Sequence, residues 1–179
     1  MSDRSICARL AVVVALLAAG AAQADTQDCT ALPVGFVLCA EGTVWADAEM
    51  LEFDNGVAFE MDPYWLEVFP APESVQSAAP FEAVLDAMAD LIAEQARNEG
   101  LGTPETLTRD TFETDNASFA TLTTRVDLPE DDPMIYMTMI ADAGEARIIL
   151  TLDSDIASSI DGVPQVLREL ADLIRPQEN

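Results

Sequence analysis

From residue 49 onward the chain switches between two hydrophobic periods. "AEMLEFDNGVAFEM" alternates apolar with polar positions on either side of Asn55-Gly56. Leu51 and Phe53 share one face of the first run, and Val57, Phe59 and Met61 share one face of the second. Both turn residues accept positive φ, so the segment predicts a β-hairpin. "YWLEVFP" continues as strand or sheet edge after Pro63, and Pro70 and Pro72 open a loop. The period then lengthens. Phe81, Val84, Leu85, Met88, Leu91 and Ile92 form one stripe at helical spacing, with Pro80 suited to the first turn and Gly100 to the stop.

Two more hairpins follow. "TLTRDTFETDNASFATLTTRVDL" turns at Asp115-Asn116, and "DPMIYMTMIADAGEARIILTL" turns around Gly144. Both are rich in the β-branched residues that fit a pleated surface. Met134 to Ala141 is apolar on both faces, which predicts a central strand covered on both sides. "VPQVLRELADLI" closes the chain as a second helix ending at Pro176, its stripe made of Val163, Val166, Leu167, Leu170, Leu173 and Ile174. Two striped helices and several hairpins define an α+β fold, an antiparallel sheet packed by two amphipathic helices. No repeat or linker divides it.

The start of the chain reads differently. Arg4 and Arg9 precede "AVVVALLAAGAA", and Ala22-Gln23-Ala24 forms a small-x-small site. This is the pattern of a secretory signal over residues 1–24, which leaves one domain over 25–179 in the periplasm or outside the cell. The apolar run is short for a membrane span, and no later stretch is long enough. Cleavage removes Cys7 and leaves Cys29 and Cys39. An exported chain with two cysteines usually pairs them. Two thiolates without histidine make a poor zinc site, and the spacing is far longer than a redox Cys-x-x-Cys. The pair reads as a structural disulfide that ties the start of the domain to its first strand.

The order of elements, and the segment "GVAFEMDPYWLEV" with Gly56, Phe59, Pro63 and Trp65, resembles the PsbP-like family, which includes the bacterial DcrB-like proteins. The family commonly has glycine before the tryptophan, where this chain has Tyr64. The resemblance implies an α/β/α sandwich and an exported binding or assembly factor rather than an enzyme. It carries over no catalytic residue.

Composition narrows the chemistry. The chain has 33 acids against eight basic residues, all arginine, with no histidine and a net charge of −25. Such a surface repels nucleic acid and anionic lipid. Without histidine there is no Ser-His-Asp or Cys-His machinery, and without lysine no Schiff base or P-loop lysine. What remains for an enzyme is a carboxylate-dependent hydrolase, and with so many acids proximity alone indicates nothing. Two binding chemistries stay open. The loop "DLPEDDP" offers Asp127, Glu130, Asp131 and Asp132, oxygen donors of the kind calcium takes, though a solvated loop has the same look. Tyr64 and Trp65 lie in an aromatic segment with Trp45 and Phe69, and exposed they would anchor a protein or envelope partner. Glu82, Asp86, Asp90 and Glu94 recur every fourth residue of the first helix and read as a solvated face.

Overall fold

The computed structural model describes residues 29–72, 75, 79–128, 133–144, 146–154 and 163–177. The signal read over residues 1–24 lies outside them, as do Glu130, Asp131 and Asp132 of the acidic loop.

Among the described residues the chain order is β1 (Thr30–Ala31), β2 (Phe36–Leu38), β3 (Glu49–Phe53), β4 (Gly56–Met61), β5 (Tyr64–Pro70), α1 (Phe81–Asn98), β6 (Glu105–Glu113), β7 (Ser118–Val126), β8 (Met134–Asp142), β9 (Arg147–Ser154), α2 (Val163–Leu173) and β10 (Ile174–Pro176). The main sheet has the strand order β3-β4-β5-β9-β8-β7-β6, and its pairs are antiparallel. A meander runs inward from one edge, α1 carries the chain to the other edge, and a second meander returns until β9 pairs with β5. The stretch after Pro63 is therefore an interior strand rather than an edge.

Strand alternation divides the core in two. On one face Phe59, Leu66, Val68, Met137, Met139, Leu150 and Leu152 pack with Leu167, Leu170 and Ala171 of α2. On the other, Ala120, Leu122, Ile140 and Ile149 pack with Val84 and Leu85 of α1. Helices on opposite faces make this the α/β/α arrangement. The apolar run in β8 is buried from Met137 to Ala141 because both faces are covered there.

α1 ends as its sequence predicts. Gly100 takes φ +74°, Leu101 N–H donates to the Ala96 carbonyl (2.8 Å) and Gly100 N–H to that of Arg97 (3.2 Å). This is a Schellman closure, which satisfies the last carbonyls and turns Leu101 back against the helix. The acidic row of α1 is partly compensated from the sheet: Arg109 of β6 donates to Asp86 Oδ1 (2.8 Å) and to the Glu82 carbonyl (3.2 Å).

Three expectations need correction. The first hairpin turns one residue early: Phe53 pairs with Gly56, so Asp54 and Asn55 form the turn and Gly56 belongs to β4. Gly56 serves close approach instead. A Cβ there would run into the Val68 carbonyl oxygen and lie 3.0 Å from Phe69 Cδ1. Gly56→Ala should therefore lower stability by about 1–3 kcal/mol, the range for forced overpacking. Chemical denaturation reads this directly, and an unchanged midpoint would show that β5 yields without cost.

The second correction concerns the last helix. It stops at Leu173, and Ile174 to Pro176 pair with β2 as an extended strand. With β1 they form a small second sheet, β1-β2-β10, that the hydrophobic pattern does not predict. Third, Leu91 of the α1 stripe is 55% exposed, because the helix overhangs a gap there instead of packing on the sheet.

Candidate binding face and cleft

A seven-stranded sheet is about 29 Å across at about 4.8 Å per strand, whereas a helix covers about 10 Å. α1 sits over β7 and its neighbours, with Ala120, Leu122, Ile140 and Ile149 beneath it. It leaves the β3-β4-β5 end of the same face open. Leu51 (38% exposed) and Phe53 (40%) lie on this open part, and the Phe53 ring rests 5.4 Å from that of Phe69. Trp65 belongs to the same face, since it pairs with Glu60 and Asp153 and alternates with Phe69 along β5.

Tyr64 and Trp65 thus do not form one anchor. Adjacent strand residues point to opposite faces, and Tyr64 packs instead on the α2 side, 6.1 Å from buried Trp45. Trp65 is joined on its own face by Phe53 and Phe69. Alternation along "YWLEVFP" signals the Trp65–Phe69 pairing. The contribution of Phe53 depends on hairpin register, which a one-residue shift of the turn makes hard to read.

Between the open strands and the C-terminal half of α1 lies a cleft of about 370 Å³. Met88, Leu91 and Ile92 form its helical wall, and Leu101, turned in by the Schellman closure, extends it. Tyr136 and Thr138 of β8 and Thr151 and Asp153 of β9 form the floor, and Glu67 of β5 faces the helix. Thr151 Oγ1 donates to Glu67 Oε2 (3.3 Å), and Gln95 Nε2 donates to Glu99 Oε1 (3.1 Å) at the helix end. The walls are apolar, and the charged groups among the described lining residues are carboxylates.

The field in this cleft is visible in Tyr136. Its hydroxyl is pushed above the ordinary value of 10.0, first by burial and then by the negative charges of Asp153 and Glu99. A folded-state value above the unfolded one means that the associated stability is complete below about pH 10 and is lost as pH rises through the folded value. In a Tyr64→Phe background, absorbance titration should place Tyr136 ionisation above pH 10, accompanied by an alkaline loss of stability that Tyr136→Phe removes. Ionisation at or below pH 10 would contradict the burial and charge described.

Of the acidic loop, Asp127 is described. It is exposed and accepts from Arg125 Nε at 3.0 Å. Cys29 and Cys39 form a disulfide with a Cα–Cα distance of 4.2 Å, far from the cleft in the fold, on the α2 side.

No family model matches the chain, and no curated protein sequence matches it. Among solved structures it is similar to cyanobacterial PsbP (CyanoP) from Synechocystis sp. PCC 6803, with a TM-score of 0.57 and 12% identity over 79% of this chain and 86% of that one. It is also similar to PA94, a Pseudomonas aeruginosa protein of unknown function, with a TM-score of 0.41 and 15% identity over 75% of this chain and 88% of that one. The chain has the PsbP-like fold, as the segment around Gly56 and Trp65 implies. At 12% identity the likeness is one of fold.

Proposed function

We propose that this protein is an exported, non-enzymatic binding module that docks a protein or envelope component through the sheet face α1 leaves open. The observation that carries this reading is the apolar group formed by exposed Leu51 and Phe53 with half-buried Trp65 and Phe69 on an otherwise strongly acidic chain. Aromatic residues on a flat sheet surface suit a hot spot, and the surrounding acids suit a partner with a basic rim. The neighbouring edge supports the same reading. β6 is interrupted by a register shift between Thr106 and Thr108 and carries Arg109 and Asp110, features that blunt an edge. β3 pairs with β4 without a shift, is exposed throughout, and presents Leu51 and Phe53 on the open face. The disulfide suits an oxidising compartment.

The test is affinity capture from an envelope extract with the wild-type protein and with Phe53→Asp. The variant should keep its circular dichroism spectrum and lose a defined partner that the wild type retains at physiological salt. A partner held equally by both proteins, or none held by the wild type, would sink the reading.

A further inference from the structure

We infer that the cleft beside α1 binds a small organic cation with an apolar body, in a site that adjoins the docking face proposed above along β5. Three observations lead there. Its volume, about 370 Å³, lies in the range of small-molecule sites, which combine apolar walls with a few convergent polar groups. Its walls match that description: Met88, Leu91 and Ile92 come from one helix, and Leu91 keeps 55% of its surface exposed although it belongs to the helix's core stripe. The charged groups among its described lining residues are of one sign, with Glu67 on β5, Asp153 on β9 and Glu99 at the helix end.

The backbone adds to this charge. The cleft lies along the C-terminal half of α1, the negative end of the helix dipole. An anion would meet repulsion from every side of the cleft. A neutral apolar molecule would fill the walls and leave the field unused. An ammonium or guanidinium group on an apolar stem satisfies both, with its charge between Glu67 and Glu99 and its stem against Leu91 and Ile92. Tyr136 reports the same field, since Asp153 and Glu99 both oppose its ionisation.

Calorimetry with octyltrimethylammonium below its micellar concentration tests the site, with octyl glucoside as a neutral amphiphile of equal tail. The cation should bind at one site per chain, and the glucoside at least about tenfold more weakly, the factor expected of a charge-assisted contact. Glu67→Gln with Glu99→Gln should weaken the cation by a similar factor. Glu82→Gln with Asp90→Gln removes the same charge from elsewhere on α1 and should leave binding unchanged. Equal binding of both amphiphiles, equal effects of the two double variants, or no binding of the cation would each overturn the inference. None of these results depends on Phe53 or on any protein partner, so this site and the docking face stand or fall separately.

Discussion

Arg147→Met should lower the unfolding free energy by about 3–5 kcal/mol, the cost of breaking a buried ion pair from one side. Arg147 is 6% exposed, and its partner Asp142 faces it across the start of the β8–β9 hairpin. Arg147 Nε donates to Asp142 Oδ2 at 3.0 Å, and Nη2 donates to the same oxygen. Nη1 donates to the carbonyls of Val75 (3.0 Å) and Ala79 (3.1 Å), and the Phe81 ring lies 5.3 Å from the guanidinium. One side chain thus holds the hairpin, the loop before α1 and the first residue of α1 together. Methionine preserves much of the volume but leaves Asp142 Oδ2 and two carbonyls without the Arg147 donors in a largely buried site. Arg147→Lys should recover only part of the loss, because an ammonium cannot reproduce the planar fork. Denaturant titration followed by near-ultraviolet circular dichroism measures both variants. A loss under about 1 kcal/mol for the methionine variant would place the pair with ordinary surface bridges and contradict the clamp.

The clamp also shows what the sequence conceals. Arg147 reads as one of eight arginines in a very acidic chain, and nothing local marks it as buried. Its position follows from the Asp142↔Arg147 register, which the turn around Gly144 sets, and from a loop some seventy residues away in the chain. Local signals were legible where period and turn chemistry agree: the α1 stripe, the Asp115-Asn116 and Gly144 turns, and the doubly covered β8. The failures share a cause as well. β1, β2 and β10 are two or three residues long, too short to show a period, and β10 finds β2 across most of the chain. Leu91 follows the helical period but has no sheet beneath it, and the period alone does not reveal where a partner surface ends. The cleft has the same origin. It arises because one helix is too narrow for seven strands, a fact of assembly rather than of any motif. Trp65 was legible as an aromatic on a strand. Its separation from Tyr64 was legible too, because alternation sends neighbours to opposite faces.

Reduction of the Cys29–Cys39 bond should lower stability by about 3 kcal/mol, the chain-entropy value for a loop of this length. The two residues are ten positions apart, at the open end of the β1–β2 pair, beside the Thr30↔Leu38 match. The consequence should extend beyond that loop. β2 is the middle strand of the small sheet, so whatever loosens β2 loosens β10 and the end of the chain. Cys39 N–H donates to the Leu173 carbonyl (2.8 Å), Gln177 N–H to that of Gly35 (2.7 Å), and Arg175 Nη2 to Cys29 Sγ (3.2 Å). Phe36, Leu38 and Ile174 carry this sheet into the α2-side core, where each is almost fully buried. Hydrogen exchange on the reduced protein should therefore lose protection first at Cys39 and Gln177, with β8 and β9 protected to the global limit. Denaturation midpoints before and after reduction, with a Cys29→Ala/Cys39→Ala variant alongside, give the size of the effect. Two free thiols in the untreated, denatured protein would refute the bond itself. A bond present but worth nothing would mean that β2 is held by its core residues alone, because Phe36, Leu38 and Ile174 would then fix the small sheet without the staple.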